Sequence, residues 1–209
     1  GDRVAIVMTN QARWPIAATA AFFRGAVVVP IDYKLTPAER ESLLAHAKPK
    51  ALVTEYPLFA PHAEGALAAI PLLLVSEAPP NARLGHAQRW GALDGSDEFA
   101  AGARATEPPT FVPPTFVPRA LDDVATIVYS SGTGGQPKGC MLPHRAYLAQ
   151  YTALTSLFPI VVGDRYFSIL PTNHAIDFMC GFLGPLFGGA MVVHQRTLRP
   201  EFLLATMKS

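Results

Sequence analysis

The chain has 209 residues, of which 50% are hydrophobic and 16% are charged, so it can bury the core of one large or two small domains. Its 17 basic and 16 acidic residues leave a formal net charge of +1. This balance gives no electrostatic basis for binding nucleic acid or an anionic membrane surface. No apolar run approaches the roughly 20 residues that a transmembrane helix needs, so no membrane span is predicted.

The cysteines and the first residues bear on the cellular compartment. Cys140 and Cys180 lie in apolar stretches and lack the spacing of a metal site. We expect both to be buried free thiols, which suits the reducing cytosol. The chain opens with Gly1-Asp2-Arg3 and passes directly into a strand pattern, so no signal peptide is predicted. The expected location is cytoplasmic.

Strand and helix patterns alternate in the first 75 residues. Short apolar runs predict strands and alanine-rich or capped segments predict helices, in the order strand 3–8, helix 14–24, strand 26–30, helix 37–47, strand 50–54 and strand 71–75. The second helix has Thr36 as its N-cap, Pro37 in its first turn and Glu39 at the third position. Short connections between alternating strands and helices predict an α/β fold, a Rossmann-like parallel or mixed sheet with helices on both faces.

Regular patterns fade between residues 76 and 120. The sequence Pro-Thr-Phe-Val-Pro occurs at 109–113 and again at 114–118. Such proline density excludes a helix and favours extended backbone, either as a plain linker or surface strap or, as the alternative, as a ligand for an aromatic-lined groove. We interpret 76–120 as a linker or strap within one incomplete domain, between a βα scaffold at 1–75 and a second half at 121–209.

A glycine-rich loop, Ser130–Gly139, follows the apolar strand pattern Val124–Tyr129. Glycine backbone amides approach an anion closely, hydroxyls add short donors, and Lys138 adds a mobile positive charge. The loop therefore predicts a phosphate site, with a glycine turn that binds no ligand as the alternative. It is not a Walker A loop, because Pro137 precedes the lysine and Gly139 follows it.

The loop, Tyr-Ser-Ser-Gly-Thr-Gly-Gly-Gln-Pro-Lys-Gly, resembles the phosphate loop of the adenylate-forming superfamily. This superfamily contains the acyl-CoA synthetases, the luciferases and the adenylation domains of peptide synthetases. Nine of the ten places in its pattern, Ser/Thr-Ser-Gly-Thr-Thr-Gly-x-Pro-Lys-Gly, are met; the exception is Gly134, where a second Thr is usual. Without the threonine hydroxyl, the loop has one fewer hydrogen-bond donor to phosphate, which costs about 1 kcal/mol of binding free energy. Segments 1–6, 24–30 and 35–39 also look like N-terminal segments of acyl-CoA synthetases.

Five further elements are predicted after the loop. Gly139–Leu142 is interpreted as the returning arm of a hairpin, and a helix is expected from Pro143 to about residue 158. For His144, a helix-capping or packing role is favoured over contact with a nucleotide. An apolar helix at 179–187, a strand at 190–194 and a helix from about residue 198 follow.

The segment Phe167–Phe178 resembles the superfamily motif Leu-Pro-x-x-His-x-x-(Gly/Glu), which borders both ATP and the acyl group. His174 matches the motif histidine, with a satisfied structural histidine as the alternative. Asp177 stands at the last position, where long-chain acyl-CoA synthetases often carry an acidic residue. This favours a fatty-acid substrate over an aryl one, unless Asp177 is hydrogen-bonded within the loop and does not contact substrate.

The resemblance implies a two-step reaction. A carboxylate, expected to be a fatty acid, attacks the α-phosphate of Mg-ATP, and the thiol of coenzyme A or of an acyl carrier protein then displaces AMP. The resemblance assigns catalytic roles to His174 and Lys138 and a Mg²⁺ contact to Thr133. It assigns the ATP phosphates to Ser130, Ser131, Gly132, Thr133, Gly134, Gly135 and Lys138.

Motifs that carry the magnesium-binding Glu, the ribose-binding Asp and a catalytic Lys in the superfamily do not occur after His194. We therefore expect an internal fragment of the large N-terminal domain, most like that of a long-chain fatty acid–CoA ligase. Alone it is expected to be inactive, with Mg²⁺ and coenzyme A bound mainly by parts outside it. The alternative is a catalytically silent relative that serves as a binding module, for which Gly134 is the sequence hint. A Rossmann dehydrogenase is disfavoured, because Thr9-Asn10-Gln11 follows the first strand in place of a Gly-x-Gly-x-x-Gly loop.

Overall fold

The computed structural model describes residues 1–62, 66–91, 115–130 and 137–208, and within them the strands form a seven-stranded and a two-stranded sheet. The strands of the larger sheet are β1 Arg3–Val7, β2 Val27–Pro30, β3 Ala51–Glu55, β4 Leu72–Ser76, β5 Gln88–Arg89, β6 Val124–Ser130 and β7 Lys138–Pro143. Their spatial order is β5-β4-β3-β1-β2-β6-β7, parallel throughout except for β7, which is antiparallel to β6. The smaller sheet pairs β8 Arg165–Ser168 with β9 Met191–His194 in parallel.

The described residues form seven helices; those predicted at 14–24, 37–47, 143–158 and from about 198 are present, whereas the short helices at 56–59 and 175–177 were not predicted. The seven are α1 Arg13–Phe23, α2 Pro37–Ala47, α3 Tyr56–Phe59, α4 His144–Leu157, α5 Ala175–Asp177, α6 Gly184–Gly188 and α7 Pro200–Lys208. Short 3₁₀ turns span Ala60–His62 and Ala66–Ala69, and a π-helical segment, Phe178–Leu183, joins α5 to α6. No described helix has the length and apolar character needed to cross a bilayer.

The capping signals read from the sequence are present at α2. The Thr36 hydroxyl accepts a hydrogen bond from the Glu39 amide at 3.4 Å, and the Glu39 carboxylate accepts one from the Thr36 amide at 2.8 Å. This reciprocal pair satisfies amide donors that the first helical turn leaves without partners. The helix ends at Lys48, whose φ of 47° is left-handed and turns the chain into β3.

The larger sheet is covered on both faces. On one face, Ile6 and Val28 pack in a buried cluster with Trp14 of α1 and with residues of α4 and the π-helical segment. On the other face, Val7 and Val29 pack with α2 and the 3₁₀ turns. Successive residues of β1 and β2 therefore serve opposite faces, as the strand period of two requires. The predicted α/β architecture with helices on both faces is confirmed.

Part of the predicted linker is ordered against α1. The Val117 amide donates to the Phe23 carbonyl at 2.9 Å, the Phe116 ring meets the Phe23 ring edge-on at 5.1 Å, and Arg119 Nε donates to the Gly25 carbonyl at 2.8 Å. These contacts agree with a surface strap in the second copy of the repeat. The first copy, at 109–113, lies outside the described residues. The division of the domain at residues 75 and 120 stays a prediction.

The prediction that both cysteines are buried is wrong for Cys140. Cys140 is exposed because it lies on β7, the edge strand of the sheet, where it pairs with Val128 of β6. An apolar run does not by itself distinguish an edge strand from a central one. Cys180 is half-buried in the π-helical segment, and both cysteines carry free thiols.

Candidate functional site

The hairpin of β6 and β7 brings together two of the predicted site residues. Ser130 ends β6 and Lys138 begins β7, and the two are paired across the open end of the hairpin. Both are exposed. Because β6 is parallel to β2, they lie at the carboxyl edge of the sheet, where open α/β sheets bind ligands. The residues predicted between them to bind phosphate and metal, Ser131, Gly132, Thr133, Gly134 and Gly135, lie outside the described residues, so their roles stay predictions.

Two side chains hold the end of β6 in place. The Tyr129 hydroxyl and His46 Nδ1 of α2 are 2.7 Å apart, and their rings meet edge-on at 5.7 Å. Burial raises the pKa of the Tyr129 hydroxyl, which stays neutral. Nearer the start of the strand, the buried Thr126 hydroxyl lies 2.6 Å from the hydroxyl of Tyr147 on α4. The strand that leads to Ser130 is thus fixed to a helix on each face of the sheet.

His174 lies at a helix start in the loop that follows β8. It is the N-cap of α5, and its Nδ1 accepts a long hydrogen bond of 3.4 Å from the Ile176 amide. A neutral imidazole that accepts at Nδ1 carries its proton on Nε2. His174 is exposed, so a capping role and a donor role toward a ligand are compatible.

Asn10 ties the His174 loop to the main sheet. It lies just past the end of β1 and is 5% exposed. Its Nδ2 donates to the Leu170 carbonyl, and its Oδ1 accepts from the Thr172 amide at 2.9 Å. Asn10 was assigned no site role from the sequence and was noted only as following the first strand. The signal that identifies it is its position, because polar residues just past the carboxyl ends of parallel strands face the ligand edge.

Asp177 is buried beneath the same loop, with 1% of its surface exposed. Its Oδ2 accepts from the Ser168 hydroxyl at 2.8 Å and lies 3.2 Å from the Thr172 hydroxyl. Burial raises the pKa of this carboxyl, against the opposing effects of the two hydroxyls and of the His174 ring. The geometry favours the alternative in which Asp177 is hydrogen-bonded within the protein and does not contact substrate.

The two groups of predicted site residues reach the same edge from different elements. Ser130 and Lys138 arrive on the hairpin, and His174 arrives on the loop that Asn10 fastens to β1. Within the described ranges, no hydrogen bond joins His174 to Ser130 or Lys138.

His144 is not at this edge: its ring packs against Phe22 with centroids 6.1 Å apart, and burial lowers its pKa. The packing role expected for His144 is therefore the one observed.

Two acidic side chains that the sequence did not single out also lie at this edge. The Glu55 carboxylate, at the end of β3, accepts from the Thr9 hydroxyl at 2.8 Å and from Gln11 Nε2 at 2.6 Å. Glu77, just past β4, pairs with Arg196 after β9, with the contact to Arg13 at 4.0 Å. These contacts connect the ends of β1, β3, β4 and β9, and the charge of Glu77 is balanced by arginine.

The described side chains include no metal-binding cluster, and the apolar groove among them is not lined by the predicted site residues. No group of three or more His, Cys, Asp or Glu residues among them is placed to hold a metal ion, and the predicted magnesium contact, Thr133, lies outside them. An apolar groove of about 780 Å³ lies between α1 and β9, and Ile16, Phe182 and Val192 are among its lining residues. Ser130, Lys138 and His174 do not line this groove.

Comparison with known proteins places the chain in a family. The model of the family described as AMP-binding enzyme matches residues 1–209. The chain belongs to this family. The resemblance to adenylate-forming enzymes predicted from the glycine-rich loop is thereby confirmed.

Individual relatives are CoA ligases and acyl-activating enzymes. The chain is 30% identical over 203 residues to 2-succinylbenzoate–CoA ligase of Bacillus licheniformis, covering 97% of this chain and 36% of that protein. It is 32% identical over 211 residues to 3-[(3aS,4S,7aS)-7a-methyl-1,5-dioxo-octahydro-1H-inden-4-yl]propanoyl:CoA ligase of Mycobacterium tuberculosis, covering 99% of this chain and 39% of that protein. A 67-residue match of 45% identity, covering 29% of this chain and 9% of that protein, is to long-chain-fatty-acid–[acyl-carrier-protein] ligase AEE15 of Arabidopsis thaliana.

Solved structures of this family share the fold. The anthranilate CoA ligase AuaEII in complex with anthranoyl-AMP superposes with a TM-score of 0.75 at 21% identity, over 99% of this chain and 37% of that one. ATP-bound MatB from Rhodopseudomonas palustris superposes with a TM-score of 0.71 at 24% identity, over 100% of this chain and 38% of that one. The chain therefore spans about two fifths or less of the length of these relatives.

Proposed function

We propose that the natural full-length protein containing this chain activates a carboxylic acid with ATP and passes the acyl group to a thiol. In the first step a carboxylate oxygen bonds to the α-phosphorus of ATP, the bond to the bridging oxygen breaks, and pyrophosphate leaves. In the second step a thiolate, from coenzyme A or an acyl carrier protein, attacks the acyl carbonyl and AMP departs. The observation that carries this proposal is the pairing of Ser130 with Lys138 at the mouth of the hairpin, on either side of a loop with the family's phosphate-binding sequence.

The residues at the hairpin supply charge and donors for the leaving pyrophosphate. Lys138 would offset the negative charge that accumulates on the β and γ phosphates, and the Ser130 hydroxyl would donate to a phosphate oxygen. The intervening residues, with Thr133 toward Mg²⁺, are assigned to the same group of contacts from the sequence alone. His174 lies on the loop that reaches the same carboxyl edge of the sheet. With its proton on Nε2, it is suited to donate a hydrogen bond to an oxygen of the acyl group or of the adenylate.

A fatty acid is the finer substrate proposal. Its support is the acidic residue at position 177 and the short match to a long-chain-fatty-acid–[acyl-carrier-protein] ligase. The longer matches are to ligases named for other acids, and Asp177 is bonded within the protein, so the acid must be identified by experiment. The cytoplasmic location inferred from the cysteines likewise stays a prediction.

The test is carboxylate-dependent exchange of labelled pyrophosphate into ATP, run on the full-length protein with acetate, hexanoate, palmitate, benzoate and 2-succinylbenzoate. Exchange with any acid supports adenylation, and a maximum with palmitate supports the fatty-acid proposal. Exchange only with an aromatic acid keeps the chemistry and overturns the fatty-acid proposal. Absence of exchange with every acid, in a protein that binds Mg-ATP, overturns the proposed function and favours the silent relative.

A matched pair of lysine variants tests the site itself. Lys138→Ala is expected to lower kcat/KM for exchange by roughly 100-fold, the usual effect of removing one preorganised charge at a transferring phosphoryl group. Lys50→Ala removes an exposed lysine at the amino end of β3, on the opposite edge of the sheet, and should leave exchange unchanged. Equal exchange rates in the two variants would contradict a role for Lys138 in the site.

A further inference from the structure

The hydroxyl of Thr172 lies between two acceptors. Thr172 Oγ1 is 3.3 Å from Asn10 Oδ1 and 3.2 Å from Asp177 Oδ2. A threonine hydroxyl has one proton and can therefore donate to only one of them. The side-chain orientation of Asn10 is fixed independently, because its Oδ1 accepts from the Thr172 amide at 2.9 Å while its Nδ2 faces the Leu170 carbonyl. Asn10 Oδ1 is thus an acceptor, and one of the two Thr172 contacts needs a proton from elsewhere.

The other oxygen of Asp177 indicates where that proton resides. Asp177 Oδ1 is buried and has no hydrogen-bond partner among the described residues. It lies so close to Gly181 that a Cβ at that position would overlap the carboxyl group. An ionised carboxylate would leave a charged acceptor unpaired here, beside the buried Phe178 and Met179, which is far more costly than burying the carbonyl oxygen of a neutral acid.

The titratable groups facing Asp177 do not supply a permanent positive charge. They are Tyr166 of β8, His174 of the loop and Cys180 of the π-helical segment. Burial is the main cause that raises the pKa of Tyr166 to about 12, and it also raises the pKa of Cys180, so both are neutral at neutral pH. His174 is exposed, and its ring acts against the rise in the pKa of Asp177 without reversing it.

We propose that Asp177 is held as a neutral carboxylic acid and begins a directed hydrogen-bond chain, Asp177 to Thr172 to Asn10, that positions the loop carrying His174. In this chain the acid proton on Asp177 Oδ2 goes to Thr172 Oγ1, and the Thr172 proton goes to Asn10 Oδ1. Ser168 then donates to the acid, and every hydroxyl proton has one acceptor. Asn10 ends the chain and also holds the loop backbone, because its Nδ2 donates to the Leu170 carbonyl and its Oδ1 accepts from the Thr172 amide.

This arrangement makes Asn10, Thr172 and Asp177 positioning residues. Their effect on catalysis rests on the proposed function, because it acts through His174 on the adenylation step. The protonation state of Asp177 does not rest on it. The two parts can therefore fail separately, and the experiment has one readout for each.

Infrared spectroscopy tests the protonation state without any substrate. A difference spectrum between the full-length wild type and Asp177→Asn at neutral pH should show the carbonyl stretch of one protonated carboxyl group, present only in the wild type. In Thr172→Val the same band should move to higher frequency, because the acid proton loses its acceptor. A wild-type difference spectrum that shows carboxylate bands in place of the acid band overturns the proposal. Should Asp177→Asn not fold, an unmoved band in Thr172→Val overturns it equally.

Pyrophosphate exchange tests the positioning role. Asp177→Asn places an amide nitrogen at the position of Oδ2, where its two protons can go to Thr172 Oγ1 and to Ser168 Oγ once the Ser168 hydroxyl turns to accept. Its kcat should therefore stay within roughly threefold of wild type. Thr172→Val breaks the chain and should lower kcat roughly tenfold with KM for ATP unchanged, whereas the conservative Thr172→Ser should restore kcat. A larger loss of kcat in Asp177→Asn than in Thr172→Val would require the ionised form and overturn the proposal. If the wild type itself does not exchange, the proposed function fails while the infrared result still decides the state of Asp177.

Discussion

Gly139 of β7 lies opposite Tyr129 of β6, next to the open end of the phosphate-loop hairpin. A Cβ added there would lie 2.9 Å from Ile127 Cγ2 and 3.5 Å from the Tyr129 ring. We predict that Gly139→Ala destabilises the protein by about 1–2 kcal/mol, because the strand must shift or Ile127 must leave its rotamer. Chemical denaturation measures this. Cys140→Ala, at the exposed next position of β7, is the control and should change the free energy of unfolding by less than about 0.5 kcal/mol. Equal effects of the two changes would contradict the close contact.

The buried acid at position 177 gives stability a definite dependence on pH. Its folded-state pKa is raised above the ordinary value of 3.8, so the folded protein binds its proton more tightly than the unfolded chain does. The stabilisation from this proton is complete below the unfolded pKa and is lost as pH rises through the raised folded pKa. We predict that the wild type loses stability relative to Asp177→Asn as pH rises through this window. Denaturation of both proteins from acid to neutral pH measures the difference between their free energies of unfolding. If the wild type gains stability relative to Asp177→Asn as pH rises, the prediction is contradicted.

The residues that sequence reasoning missed share a physical cause. Asn10 lies just past β1 and Glu55 is the last residue of β3, but their partners lie far away along the chain, at Thr172 and at Gln11. A single sequence displays periodicity and turn chemistry, which are local, whereas a polar contact over such separations depends on how the elements pack. The loop with Ser130 and Lys138 was predictable because its chemistry is contained in ten consecutive residues.

At the scale of elements, α2 shows how far a local signal determines structure. Its capping box, between Thr36 and Glu39, was predicted from spacing and is present. We predict that Thr36→Ala costs about 1 kcal/mol of stability, because the first-turn amides lose their acceptor. Thr152→Ala, at an exposed mid-helix position of α4, is the control and should be neutral or slightly stabilising, since alanine is the better helix former. Thermal unfolding of both variants distinguishes the two, and a larger loss in Thr152→Ala would contradict the role of the cap.

Short or irregular elements were outside the reach of the sequence. Strand β5 has two residues, Gln88 and Arg89, which is too short for a hydrophobic period to appear. The π-helical segment Phe178–Leu183 was predicted only as helix, because apolar patterning does not separate the wider turn from an α-helix. Its place next to the buried Asp177 and Gly181 agrees with the tendency of π-turns to occur at functional sites.

At the scale of the whole molecule, the sheet joins residues that are distant in the chain. β6, which carries the phosphate loop, lies beside β2, and β1 and β2 are central strands. The carboxyl ends of these strands therefore meet at one edge, where the hairpin and the His174 loop both arrive. The parallel order followed from the alternation of strand and helix patterns, whereas the separate pairing of β8 with β9 depends on packing that no local pattern encodes.

The same scale decides whether these 209 residues suffice for catalysis. The chain spans 36% and 39% of the two CoA ligases it matches over nearly its whole length, and its described residues form no cluster of three or more side chains able to hold a metal ion. We predict that the isolated 209-residue chain does not form acyl-CoA from acid, ATP, Mg²⁺ and coenzyme A, because holding the transferring phosphoryl group requires charges on more than one side of it. The measurement is thioester formation by the isolated chain beside the full-length protein, after circular dichroism has verified that both are folded. Full-length Lys138→Ala is the matched control for background activity. Thioester produced by the isolated chain above that background would contradict the prediction. It would mean that these 209 residues contain every group that the reaction needs.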